Sequence, residues 1–99
     1  NILIDLAQRE TKNLSVKFAN LVVDNARGKT RLLDRTHRFA GFRVLKAPDV
    51  PSVLIELGFL TNSSDEKQLL NASWRRKVAG ALVKSVDGFF RSSRVAALR

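Results

Sequence analysis

The chain has no cysteine, one histidine, two prolines and five glycines among 99 residues. Without cysteine there is neither a disulfide to reinforce a modest core nor a zinc finger. This absence is silent on redox compartment, because an oxidising space without disulfides suits it as well as the cytosol does. A lone histidine, His37, excludes a self-contained multi-histidine metal site. No segment approaches the ~20 apolar residues that a membrane span requires. The first residues lack the basic stretch and long apolar run of a signal peptide. An exported form would therefore carry its targeting sequence upstream of Asn1. Gly28 and Gly58 are isolated, so there is no glycine-rich phosphate loop, and no G-x-S-x-G nucleophile elbow occurs. Acidic residues are scarce: 9 Asp+Glu face 18 Lys+Arg, a net charge of +9.

What is present suffices for a core. The composition is 44% hydrophobic, so the chain as a whole is not disordered. Residues 2–26 read as a helix: Leu14, Phe18, Leu21 and Val22 recur at helical spacing, with Leu3, Leu6 and Ala7 on the preceding turns. The polar stretch Gln8 to Asn13 interrupts that face, implying either a helix bridging two surfaces or two helices. Gly28 is placed to end the helix. Residues 29–41 are basic and weakly patterned, as in a surface loop. Residues 42–45 read as a short strand. A second, 52–57, has four apolar residues, Val53, Leu54 and Ile55 in a row and then Leu57, which predicts a strand covered on both faces. Ser63 and Glu66 spell a capping box for a helix over 64–70. Asn71 is placed to cap an amphipathic helix over 72–90, with Trp74, Val78, Ala81, Leu82 and Phe89 on one stripe. The basic tail 91–99 is expected to fray.

Two strands alone are marginal in water. Their apolar character implies an α/β fold in which this chain supplies part of a larger sheet. A start at Asn1 points the same way, to a processed product or a piece of something longer.

Glu56 carries the most chemical information. It lies in Val53-Leu54-Ile55-Glu56-Leu57-Gly58-Phe59, where a carboxylate is costly unless paired, metal-bound or facing a cleft at the strand end. In open α/β sheets that cleft is the usual place for chemistry. One reading makes Glu56 a general base or acid with an environment-tuned pKa. Another makes it the partner of one of the many arginines, or a solvated side chain. Periodicity leaves both open. His37, in Arg35-Thr36-His37-Arg38, reads as an exposed loop residue. The basic residues are dispersed along the chain, and no helix-turn-helix or RNA-binding aromatic signature accompanies them.

The run from Arg38 to Asn62 resembles zinc-dependent N-acetylmuramoyl-L-alanine amidases of the amidase_3 type, in the proteobacterial cell-division group. The family shows a V-L-K-x-P-x-x-P-S-x-L-x-E-x-x-F-x-[ST]-N stretch, an acidic helix start and a final long helix. Val44 to Asn62, Ser63 to Leu70 and Trp74 to Phe90 match these in turn. The segment Leu3 to Gln8, with Ser15, resembles the part following the family's regulatory helix.

The resemblance implies the C-terminal portion of a phosphorylase/hydrolase-like amidase domain, with a mostly parallel sheet flanked by helices. It implies a zinc ion whose His, Glu and His ligands lie upstream of Asn1, so that this chain holds no metal ligand; His37 matches none of the family's ligand positions. It carries the family's catalytic Glu onto Glu56. Asn62, beyond the strand, either shapes the loop or touches substrate, and Lys46 either meets wall polymer or is solvated.

The implied reaction is hydrolysis of the amide between N-acetylmuramic acid and L-alanine of the stem peptide of peptidoglycan. The implied setting is the periplasm, with an inhibitory helix, a LytM-like activator protein and no nucleic-acid partner. The isolated chain, lacking the ligands and the N-terminal part of the domain, is expected to be inactive. The alternative is a non-catalytic basic module that binds nucleic acid or an anionic cell-wall polymer.

Overall fold

The computed structural model describes residues 1–30, 42–44 and 49–97. Helix α1 spans Ile2–Ala26, strand β1 Phe42–Val44, strand β2 Val53–Ile55, helix α2 Ser63–Leu70 and helix α3 Ala72–Ala97. Most of the expected basic loop, together with His37 and Lys46, lies outside the described residues.

α1 is one continuous helix through its polar stretch. Asn1 caps it, its Oδ1 accepting the Leu3 N–H at 2.8 Å. At the far end Gly28 adopts φ +77°. There the N–H groups of Lys29 and Thr30 both donate to the Ala26 carbonyl at 3.1 Å, satisfying an oxygen the helix leaves open.

The buried face of α1 is built from small side chains: Thr11, Ser15, Ala19, Val22, Val23 and Ala26. Their spacing of three and four residues makes one stripe. Leu14, Phe18 and Leu21 flank it, half-buried. Leu3 and Leu6, expected on the apolar face, are instead exposed, Leu3 by 75%.

The reason is the register of α3, which runs antiparallel to α1. Thr30 Oγ1 accepts the Trp74 indole N–H at 2.9 Å. Asn25 Nδ2 donates to Ser85 Oγ at 3.0 Å. Phe18 meets Phe89 edge-to-face with ring centroids 5.7 Å apart, and Lys17 Nζ donates to Ser92 Oγ at 2.8 Å. Five residues beyond Ser92 the helix ends at Ala97. The first two to three turns of α1 therefore have no turn of α3 beside them.

α3 also differs from expectation at its own end, continuing to Ala97 where a fraying tail from 91 is expected. The Lys17–Ser92 bond ties that turn to α1. Arg94 in the last turn suits the negative helix end.

Among the described side chains of α3, Ala81 and Ser85 are buried. Both are small, which lets the two helix backbones approach. Ser85 keeps its hydroxyl satisfied by donating to the Ala81 carbonyl at 2.7 Å.

The strands form an antiparallel pair in which Phe42 faces Ile55, Arg43 faces Leu54 and Val44 faces Val53. The pair lies against α1, and Ile55 joins Phe18 and Leu82 around Val22 and Val23. Ser15 Oγ, fully buried on α1, accepts the Ser52 N–H at 2.8 Å and fixes where β2 begins. β2 is shorter than the expected 52–57, and it is covered on one face only: Val53 and Ile55 are half-buried, whereas Leu54 is 45% exposed.

The described molecule is elongated, with a radius of gyration of 15.4 Å. A compact domain of this length would have about 13 Å. The uncovered start of α1, on a helix of roughly 37 Å, accounts for part of the difference.

Candidate functional site

The site is the segment leaving β2. Glu56 follows directly on Ile55 and is exposed. It stands at the carboxyl end of β2. The apolar residues around it are exposed too: Leu57, Phe59 by 53% and Leu60 by 78%.

Ile55, opposite Phe42, is the last residue of β2. A turn then brings the backbone back into α2. The Asn62 N–H donates to the Phe59 carbonyl at 3.0 Å. Asn62 is the N-cap of α2, its Oδ1 accepting the Asp65 N–H at 3.0 Å. Asp65 reaches back, its Oδ2 accepting the Phe59 N–H at 3.0 Å.

The expected cap at Ser63, with Glu66 returning to it, is therefore displaced by one residue. Asn62-Ser63-Ser64-Asp65 has the same four-residue spacing and takes the role. An Asx side chain caps at least as well as serine, and the Asp65 carboxylate sits in the first turn, where the helix dipole favours it. Asp65 and Gly58 are the functional-site residues that the sequence reading passes over, although that Asn-x-x-Asp spacing was the available signal.

Asn62 shapes the loop with its carboxamide oxygen, which leaves the amide nitrogen as the group able to meet substrate. Asn71 repeats the device at the next corner. Its N–H closes α2 on the Gln68 carbonyl at 3.0 Å, and its Oδ1 accepts the Trp74 N–H at 3.1 Å to start α3. Arg75 adds a bond to the Leu69 carbonyl at 2.9 Å.

Among the described residues no group of three His, Cys, Asp or Glu side chains is arranged to hold a metal ion. Basic residues are spread over both long helices: Arg9, Lys12, Lys17 and Arg27 on or beside α1, and Arg75, Arg76, Lys77, Lys84, Arg91 and Arg94 on α3, are all exposed. No described helix is long and apolar enough to cross a membrane.

Comparison with known proteins follows the same residues. The Amidase_3 family model, described as N-acetylmuramoyl-L-alanine amidase, matches residues 2–88. The chain is 36% identical over 89 residues to N-acetylmuramoyl-L-alanine amidase AmiA of Escherichia coli strain K12, covering 90% of this chain and 31% of that protein. It is 36% identical over 89 residues to AmiC of Escherichia coli O6:H1, covering 89% of this chain and 21% of that protein. AmiC of Neisseria meningitidis serogroup B is 35% identical over 91 residues, 92% of this chain and 22% of that protein. The chain thus spans a third or less of the length of these relatives. No solved structure matches it.

Proposed function

The chain belongs to the N-acetylmuramoyl-L-alanine amidase family, and from that premise we propose that it is the C-terminal part of a peptidoglycan amidase domain in which Glu56 is the general base. The observation that carries this reading is the position of Glu56, exposed at the carboxyl end of β2 and followed by a tied turn.

The bond cleaved is the amide joining the lactyl group of N-acetylmuramic acid to L-alanine. Glu56 accepts a proton from a water molecule as its oxygen attacks the amide carbonyl carbon. When the tetrahedral intermediate collapses, the C–N bond breaks and Glu56 passes that proton to the departing nitrogen. The products are the free lactyl carboxylate and the free amine of L-alanine. Asn62 keeps the turn in place and offers its amide nitrogen to the substrate.

The zinc that the family resemblance implies has no ligand set among the described residues. Its ligands belong, in this proposal, to the part of the domain outside this chain. That part also completes the mostly parallel sheet. The exposed Leu54, Leu57, Phe59 and Leu60 support this, since a face of that kind calls for a cover. A periodic supply of positive charge on both helices suits work close to an anionic wall in the periplasm, with a LytM-like activator as the regulatory partner.

The test replaces Glu56 in the whole amidase. Glu56→Gln, near in shape but unable to take the proton, is expected to lower turnover of muropeptide by ~10²–10⁴-fold, the usual worth of a general base. Bound zinc should be unchanged. Turnover at the wild-type rate would refute the role.

A further inference from the structure

We propose that Asp65 is a positioning residue for the hydrolytic reaction, holding the backbone that carries Glu56 from the downstream side. The proposal rests on the reading of Glu56 as general base. From upstream, Glu56 follows directly on the β1–β2 pairing of Phe42 with Ile55. From downstream, the anchors after it belong to a closed set of three bonds between residues 59 and 65. Phe59 N–H donates to Asp65 Oδ2, Asn62 N–H to the Phe59 carbonyl, and Asp65 N–H to Asn62 Oδ1, each at 3.0 Å.

Gly58 completes the device. A Cβ placed there would stand 3.2 Å from Asp65 Cβ and 3.5 Å from its Cγ. The carboxylate therefore reaches Phe59 by passing over a residue that has no side chain. Only two residues separate Glu56 from this clip, at 3.8 Å per Cα step. A shift of the turn is transmitted to Glu56 with little chain to absorb it. Misplacing a catalytic group by about 1 Å costs up to ~10²-fold in rate.

A residue that merely starts α2 would affect stability and leave catalysis alone. The two roles separate in the whole amidase, assayed on a soluble muropeptide with kcat and KM resolved and with thermal melts alongside. Asp65→Ala is expected to lower kcat by ~10–100-fold with KM within about twofold, because the lost interaction orients a reacting group and does not bind substrate. Asp65→Asn, which keeps an oxygen to accept the Phe59 N–H, should restore kcat to within about threefold of wild type. Gly58→Ala should reproduce the kcat loss with Asp65 intact, and it decides the matter should Asp65→Ala not fold. Wild-type kcat in a folded Asp65→Ala or Gly58→Ala, or an Asp65→Asn as impaired as Asp65→Ala, would overturn the proposal. Glu56→Gln in the same assay separates the two levels. Loss of turnover there beside wild-type Asp65→Ala defeats only the positioning role, whereas turnover retained in Glu56→Gln defeats the general-base reading itself.

Discussion

Gly28 shows how much one residue can decide. Its φ of +77° lies in the left-handed region, and a Cβ there would meet no atom within 4 Å. The cost of replacing it is thus conformational and not steric. Gly28→Ala should destabilise the fold by about 1–2 kcal/mol, and Gly28→Asn by less, since asparagine tolerates this region better than alanine. Urea unfolding of the two variants checks the order. Glycine after the last apolar residue of a helix is a signal that a sequence carries openly. The Gly58–Asp65 contact is of another kind: it joins residues seven apart through a turn, and the requirement for glycine appears only once the carboxylate is seen above it.

At the scale of elements, two buried serines mark the crossings, Ser15 between α1 and β2 and Ser85 between α3 and α1. Ser15 accepts the Ser52 N–H and donates to the Thr11 carbonyl at 3.1 Å while fully buried. Ser15→Ala would leave the Ser52 N–H without that partner, at a cost of about 1–3 kcal/mol. Chemical denaturation should register it as a lower midpoint with an unchanged slope. Both α1 and α3 were legible from their periodicity, which places them over 2–26 and 72–90. Their contact face was not. Of the expected stripe Leu14, Phe18, Leu21 and Val22, only Val22 is fully buried, and the buried line continues through Thr11, Ser15 and Ala19 while Leu3 and Leu6 are exposed. Close approach of two helices rewards small side chains, and hydrophobicity alone does not report which face makes it.

For the whole molecule, the exposed face of Leu54, Leu57, Phe59 and Leu60 and the projecting start of α1 are its least self-contained features. In the proposed reading, catalysis requires the rest of the domain. The isolated chain is therefore expected to bind no zinc stoichiometrically in equilibrium dialysis and to release no stem peptide from peptidoglycan. Tight one-to-one zinc binding accompanied by wall hydrolysis would contradict it.

The sequence by itself determined the family, through the long run ending at Asn62, and the chemical identity of its leading residue, Glu56. It also determined where the long helices lie, because periodicity and capping residues are local properties. Tertiary structure alone decided which side of α1 is buried, that β2 is covered on one face, that α3 holds to Ala97 and that Asp65 ties the turn beyond Glu56. The helix and strand packing depends on residues brought together from distant positions, Lys17 with Ser92 and Ser15 with Ser52, whereas the Asp65 tie is made within one turn. The absences noted at the outset acquire a physical sense from this. The chain has one histidine and no cysteine, and in the proposed reading Glu56 stands at the edge of a sheet face that the rest of the domain completes.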